Sequence, residues 1–175
     1  MKKVGNMKKV GEFQVISGKV MISDPCYDFG TWCADELPAV NGTWEVYIIK
    51  KKTKSWGTRT YRLQAVLKGH KTQGSIWKDV SDLGVDSGQM SIYDFKHYRN
   101  AKDVPADFKF KRTADFEVDK PADRWYNMVC EHTLSKDYAV TEYGCASSTG
   151  LGDGVYPMEA QISGKKAVAI RVIFL

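Results

Sequence analysis

Apolar residues in this chain recur at every second position over much of its length, and that period leaves few architectures open. Trp44, Val46 and Ile48 alternate with Glu45 and Tyr47, while Tyr61, Leu63, Ala65 and Leu67 alternate with Arg62, Gln64 and Val66. Successive side chains of a strand point to opposite faces, so these segments predict half-buried β-strands. Residues 43–50 and 57–67 are therefore expected to pair, joined by the polar, basic loop from Lys50 to Trp56. Residues 12–23 read as a hairpin, with Phe13 and Val15 before and Val20 and Ile22 after a Ser17-Gly18-Lys19 turn, ended by Asp24-Pro25. A third pair, Leu83 to Asp86 with Met90 to Tyr93, is expected to turn through Ser87-Gly88. The tetrapeptide Ile-Ser-Gly-Lys at 16–19 returns at 162–165. Its flanks do not match, which reads as two turns of similar chemistry rather than an internal repeat.

Only residues 121–135 carry helical spacing, with Pro121 tolerated in the first turn and Trp125, Met128, Val129 and His132 on one face. The charged segment after Asp94, ending at Val104-Pro105, reads as a short helix or loop. Tyr138 to Tyr143, Val155 to Ile162 and Ala167 to Leu175 return to strand. The last is nearly all apolar, as for a strand covered on both faces, so Arg171 needs a carboxylate or carbonyl partner if it points inward. Between them, Gly144 to Gly154 reads as a polar loop at the edge of the β-structure, where small residues let a ligand approach the backbone. These elements predict one mainly antiparallel β domain over residues 12–175, a sandwich or partly closed barrel with one packed helix, and α+β as the fallback.

The net charge of +5 is concentrated at the start, where Lys2, Lys3, Lys8 and Lys9 lie in the near-duplicate Met1-Lys-Lys-Val-Gly5 and Met7-Lys-Lys-Val, read as a flexible basic arm over residues 1–11. The remaining body is close to neutral, which argues against nucleic acid as partner. Within it, residues 46–78 carry Lys50, Lys51, Lys52, Lys54, Arg59, Arg62, Lys68 and Lys71 and no Asp or Glu. This stretch is either a solvated hairpin or an anion-facing surface, with Trp56, Tyr61 and Trp77 as stacking partners. The first apolar stretch is interrupted by Ser17, Gly18 and Lys19, so no signal-peptide core is expected, and no run reaches membrane-span length. A soluble, cytoplasmic protein with no membrane partner is expected, with Cys26, Cys33, Cys130 and Cys145 as reduced core thiols. Their spacing fits no common zinc pattern, although Cys130 and His132 form a Cys-x-His pair.

Asp24 in Ser-Asp-Pro, Asp86 in Val-Asp-Ser-Gly-Gln and Asp153 in Gly-Asp-Gly each sit at a strand end beside a turn former. Converging carboxylates could hold calcium or magnesium, or accept hydrogen bonds from a ligand; Asp also favours turns by bonding nearby amides, and Asp94 shares that ambiguity. Asp86-Ser87-Gly88 matches the aspartic-protease triplet in a single copy, so a homodimer would have to supply the second carboxylate. Cys145, Ser147 and Ser148 are nucleophile candidates with His132, His97 or His70 as base, but no spacing joins them. The glycine-rich loop precedes a strand, not the helix N-terminus that makes such loops bind phosphate.

Ser17-Gly18-Lys19 leading to Asp24-Pro25-Cys26, Val85-Asp86-Ser87-Gly88-Gln89 with Asp94, and Gly152-Asp153-Gly154-Val155-Tyr156-Pro157 together resemble an uncharacterised β-rich domain family of bacterial and phage genomes, over about Phe13 to Leu175. The resemblance implies no activity and no catalytic residues; it implies a microbial or viral origin and, for a phage protein, the host cytoplasm. The expected function is a non-enzymatic binding domain for a small or anionic ligand, such as a host nucleotide signal sequestered by a phage. Its expected ligand residues are Asp24, Asp86, Asp94, Ser148, Asp153, Tyr156, Arg59 and Arg62, with no cofactor. A carboxylate-dependent hydrolase and a virion or assembly component, including a homo-oligomer, are the alternatives.

Overall fold

A computed structural model describes residues 7–110 and 121–175. The strands are β1 (Met7–Val15), β2 (Lys19–Ser23), β3 (Asp35–Pro38), β4 (Gly42–Lys52), β5 (Thr58–Leu67), β6 (Lys78–Val85), β7 (Gln89–Asp94), β8 (Tyr138–Thr141), β9 (Gly144–Ser148), β10 (Gly154–Ser163) and β11 (Lys166–Ile173), with helix α1 (Pro121–Lys136) before β8. They form two antiparallel sheets, in the orders β1-β4-β5-β11-β10-β6 and β3-β2-β7-β9-β8. A mainly β fold with one helix is thus what the alternating pattern produces. The sheets stack without closing into a barrel, though single backbone bonds bridge them on both sides, from Gln14 N to the Glu142 carbonyl (2.7 Å) and from Gly84 N to the Cys33 carbonyl (2.9 Å).

Three expectations need correction. Residues 12–23 and 83–93 are not hairpins: β1 and β6 are the two edges of the larger sheet, and β2 and β7 are neighbours in the smaller one. Ile16-Ser17-Gly18 and Asp86-Ser87-Gly88 are corners at which the chain changes sheet, made possible by Gly18 and Gly88 at φ +75° and +66°. Gly144 to Ser148 is a buried strand rather than loop; a Cβ on Gly144 would lie 2.2 Å from the Tyr93 ring. Residues 7–11 of the expected basic arm lie within β1, where Lys9 pairs with Glu12 and Glu45.

The main core lies between the sheets and includes Phe13, Val15, Val20, Ile22, Trp44, Leu63, Leu83, Ile92, Met158, Ile170 and Phe174. Burial of such a side chain contributes about 1.5–3 kcal/mol, so this layer dominates the stability of the fold. The helix covers the other face of the smaller sheet: Trp125, Met128 and Val129 pack on Met21, Tyr93, Tyr98 and Ala146, and Trp125 meets both tyrosine rings edge-on. Strand β2 is therefore buried on both faces. The outer face of the larger sheet is covered in part by residues 68–77, where Gln161 Nε2 donates to the Thr72 and Ser75 carbonyls. Trp77 stacks there on Arg171, which pairs with Glu159, so the carboxylate partner expected for Arg171 is present.

The strand registers map onto themselves under a pseudo-two-fold axis. Ile22 pairs with Ile92 in one sheet and Gln64 with Arg171 in the other, and both pairs sit on that axis. Stepping outward, Met21 with Tyr93 matches Ser23 with Ser91, and Leu63 with Val172 matches Ala65 with Ile170. Phe13 with Trp44 corresponds to Leu83 with Tyr156, and Val46 with Ala65 to Met158 with Val172. The irregularities repeat as well: β1 bulges between Lys9 and Gly11 as β6 does between Asp79 and Ser81, and β5 at Tyr61 as β11 does at Val168. The first half is β1 to β5. The second is β6, β7, β9, β10 and β11, into which the segment carrying α1 and β8 is inserted.

Candidate functional site

Two buried aspartates hold the corners, each across the axis. Asp24 Oδ2 accepts from Asp86 N (2.8 Å) and Ser87 N (2.7 Å), and its Oδ1 accepts from Cys26 N and Ser87 Oγ. Asp94 Oδ2 accepts from Ile16 N and Ser17 N (both 2.7 Å), and its Oδ1 from Lys96 N. Each carboxylate thus closes the corner of the other half and then caps its own following turn. Both are fully buried. Charge-assisted bonds to amides are about twice as strong as neutral ones, and removing such an acceptor leaves several half-buried donors unpaired. Asp24 and Asp94, expected as ligand residues, instead have both carboxylate oxygens engaged by the protein itself.

Of the other expected residues, Asp86 and Asp153 flank the paired Val85 and Gly154 at the corner that Asp24 holds. Asp86 lies exposed at the corner and accepts from the Tyr27 hydroxyl (2.7 Å); burial first, and this bond second, push the Tyr27 phenol up. Asp153 is exposed, whereas Tyr156 is buried and donates to the Gly152 carbonyl (2.8 Å). Arg62 belongs to the cluster of Arg171 and Glu159; its Nε is buried without a hydrogen bond, and burial with the neighbouring Arg171 lowers its pKa. Arg59 and Ser148 do come together.

They meet in a groove between the β4–β5 hairpin and the loop from Thr149 to Gly152. A cavity of about 350 Å³ is lined by Trp56, Arg59, Gly150, Leu151 and Gly152. It shares Arg59, Gly150 and Gly152 with a second cavity of about 270 Å³, reached by Thr58, Thr60, Gly88, Asp137 and Ser148. The loop is fixed from within. Thr149 N donates to the Gly88 carbonyl (2.9 Å), Thr149 Oγ1 to the Gly152 carbonyl (2.5 Å), and Gly152 N returns a bond to Thr149 Oγ1 (3.0 Å). Gly150 sits at φ +76°, and a Cβ there would lie 2.2 Å from the Thr60 carbonyl oxygen, so only glycine lets the loop rest on β5. The Thr60 and Ser148 hydroxyls are 3.2 Å apart. Arg59 donates from Nε to the Trp56 carbonyl (2.8 Å), which orients its guanidinium while using one of five N–H donors. At the rim Lys50 pairs with Asp137 (2.6 Å), the residue that ends α1 in the left-handed region at φ +66°.

The nucleophile candidates find no base. Cys145 is wholly buried and its thiol is pushed up by burial; burial also raises Cys130, and burial followed by the bond to Asp24 pushes Cys26 up to about 12. Ser147 Oγ is buried without a hydrogen bond. His97 bonds Asp103 and stacks on Tyr143, His70 bonds Gln161, and His132 meets the Phe108 ring. Among the described residues no three His, Cys, Asp or Glu side chains gather as metal ligands would, and no helix is long and apolar enough to cross a membrane. No known protein family matches the chain, and neither curated proteins nor solved structures supply a match. Sequence reasoning missed the groove residues Gly88, Thr58, Thr60 and Asp137. It also missed the repeated Val-x-Ser-Gly followed by Asp, at Val15, Ser17, Gly18, Asp24 and again at Val85, Ser87, Gly88, Asp94.

Proposed function

We propose that the chain is a non-enzymatic binding domain for a small anionic ligand, held in the groove between Trp56, Arg59 and the Gly150 loop. The observation that carries this reading is the convergence of an oriented guanidinium, two hydroxyls and a glycine loop held by its own hydrogen bonds around the space they enclose. Arg59 supplies planar donors suited to a phosphate or carboxylate. Trp56, 60% exposed, offers an indole face beside them, which favours a ligand carrying a base as well as a charge. A nucleotide is the ligand class with both parts, and sequestering one fits the bacterial and phage resemblance. A carboxylate-dependent hydrolase would have to use Asp86 and Asp153, which are exposed, because Asp24 and Asp94 are engaged by backbone amides.

Calorimetric titration with AMP, together with Trp fluorescence, tests the reading. Binding that weakens with ionic strength and falls about tenfold or more in Arg59→Glu is the expected result. Unchanged affinity in that variant would sink it.

A further inference from the structure

The pseudo-two-fold axis relates the groove to a second place in the molecule, and among their differences is a hydrogen bond that the second place makes and the groove lacks. Gly88 corresponds to Gly18, Arg59 to Lys166, Thr60 to Ala167 and Thr149 to Ala39; the bond from Thr149 N to the Gly88 carbonyl repeats as Ala39 N to the Gly18 carbonyl, both 2.9 Å. At the second place the Gly18 amide donates to Asn41 Oδ1 at 2.6 Å. Lys166 Nζ stands beside it, 3.9 Å from a Cβ built on Gly18. The protein has thus placed an oxygen of its own over a left-handed glycine amide flanked by a cation.

Asn41 precedes Gly42 as Asp153 precedes Gly154, and Gly42 and Gly154 pair equivalently with Val15 and Val85. The connection from Thr149 to Gly154 is longer than that from Ala39 to Gly42, and Asp153 is carried out into solvent. Among the described residues the Gly88 amide has no acceptor, and Gly88 lines the cavity that also holds Arg59, Thr60 and Ser148.

We propose that the Gly88 N–H is the anion subsite of the groove, receiving a ligand oxygen where the other half receives Asn41 Oδ1. This rests on the ligand-binding reading and deepens it. The ligand class is a phosphate monoester whose oxygens meet the Gly88 amide and the Arg59 guanidinium, with one hydroxyl of the mutually bonded Thr60 and Ser148 as a further donor. The longer loop clears the position that a built-in acceptor would block.

The test follows amide shifts of the ¹⁵N-labelled full chain during titration with inorganic phosphate and with AMP. Gly88 should move with both probes while Gly18, its counterpart of like conformation, stays still. In Asn41→Ala, Gly18 should become phosphate-responsive, since its acceptor is gone and Lys166 remains. AMP shifts at Trp56 and Arg59 with a static Gly88 would overturn the subsite and leave the groove reading intact. No shift anywhere in the groove would overturn both. A Gly18 amide that moves in the unaltered chain, or stays silent in Asn41→Ala, would overturn the assignment of Asn41 as the built-in acceptor.

Discussion

The two halves of the molecule agree in the backbone and differ in what covers it. Both turn a corner on Ser-Gly, both place an Asp where it can cage the opposite corner, and both bulge at the same steps of their strands. They diverge at the loop after the third strand, which is short and closed by Asn41 in one half and longer and glycine-rich in the other. They diverge also at the strand beneath it, where Thr60 answers to Ala167. Repeated features satisfy obligatory hydrogen bonds, which any half of this kind must do. The proposed binding groove lies where the halves stop matching, as expected when a rigid scaffold is kept and its loops vary.

The largest effect should come from the shared cage. Asp24→Ala leaves the half-buried donors of Cys26, Asp86 and Ser87 without their acceptor, and should lower unfolding free energy in urea by about 3–5 kcal/mol. Asp94→Ala should cost slightly less, because no hydroxyl joins its three amides. A loss under about 1 kcal/mol in either would mean that the cages do not hold the corners. Next comes the point of divergence. Gly150→Ala meets the Thr60 carbonyl and a positive φ, with an expected cost of about 2–4 kcal/mol, whereas Val40→Ala at the matching position should cost about 1 kcal/mol. Equal costs would erase that distinction.

Charge reversal sharpens the contrast without touching stability. Arg59→Glu should weaken AMP binding about tenfold or more, and Lys166→Glu should leave it within about twofold. The smallest effect concerns the inserted helix, which has no counterpart in the first half. Burial lowers the His132 pKa, with Lys136 adding to the shift. The neutral ring is favoured in the folded state, so its contribution is intact above the ordinary histidine value of about 6.5 and is lost as pH falls from there toward the lowered folded value. His132→Phe should flatten that part of the stability profile in thermal melts across pH 5 to 7. An unchanged slope would place the titration elsewhere.

Much of this architecture was legible in the sequence. Alternation placed β4 and β5, a nearly continuous apolar run placed β11, and the three-and-four spacing of Trp125, Met128 and Val129 placed the helix. The corners were misread because a Ser-Gly turn looks the same whether the chain folds back in one sheet or crosses to another; the difference lies in which distant strand becomes the neighbour. The repeat was obscured for a related reason. Identity is confined to a few positions around the corner, such as Val15 and Val85, Ser17 and Ser87, the turn glycine and the caging Asp, while core positions exchange Val20 for Met90 or Trp44 for Tyr156. The contiguous match at Ile162 to Lys165 was louder, yet it is an ordinary hairpin. Of the residues lining the groove, Arg59 and Ser148 were named in advance. Gly88 and Thr60 were not, since their importance depends on a loop that reaches them from far along the chain.

Reciprocal caging also sets an order of events during synthesis. Two amides of the first corner, Ile16 and Ser17, find their acceptor outside their own half, 78 and 77 residues downstream at Asp94. A nascent chain with only β1 to β5 outside the ribosome therefore holds two uncapped amides and a β2 strand lacking its β7 neighbour. Contacts this distant close late and slow the search for the native state. Until β7 emerges, the exposed side of β2 is the segment a chaperone would be expected to guard.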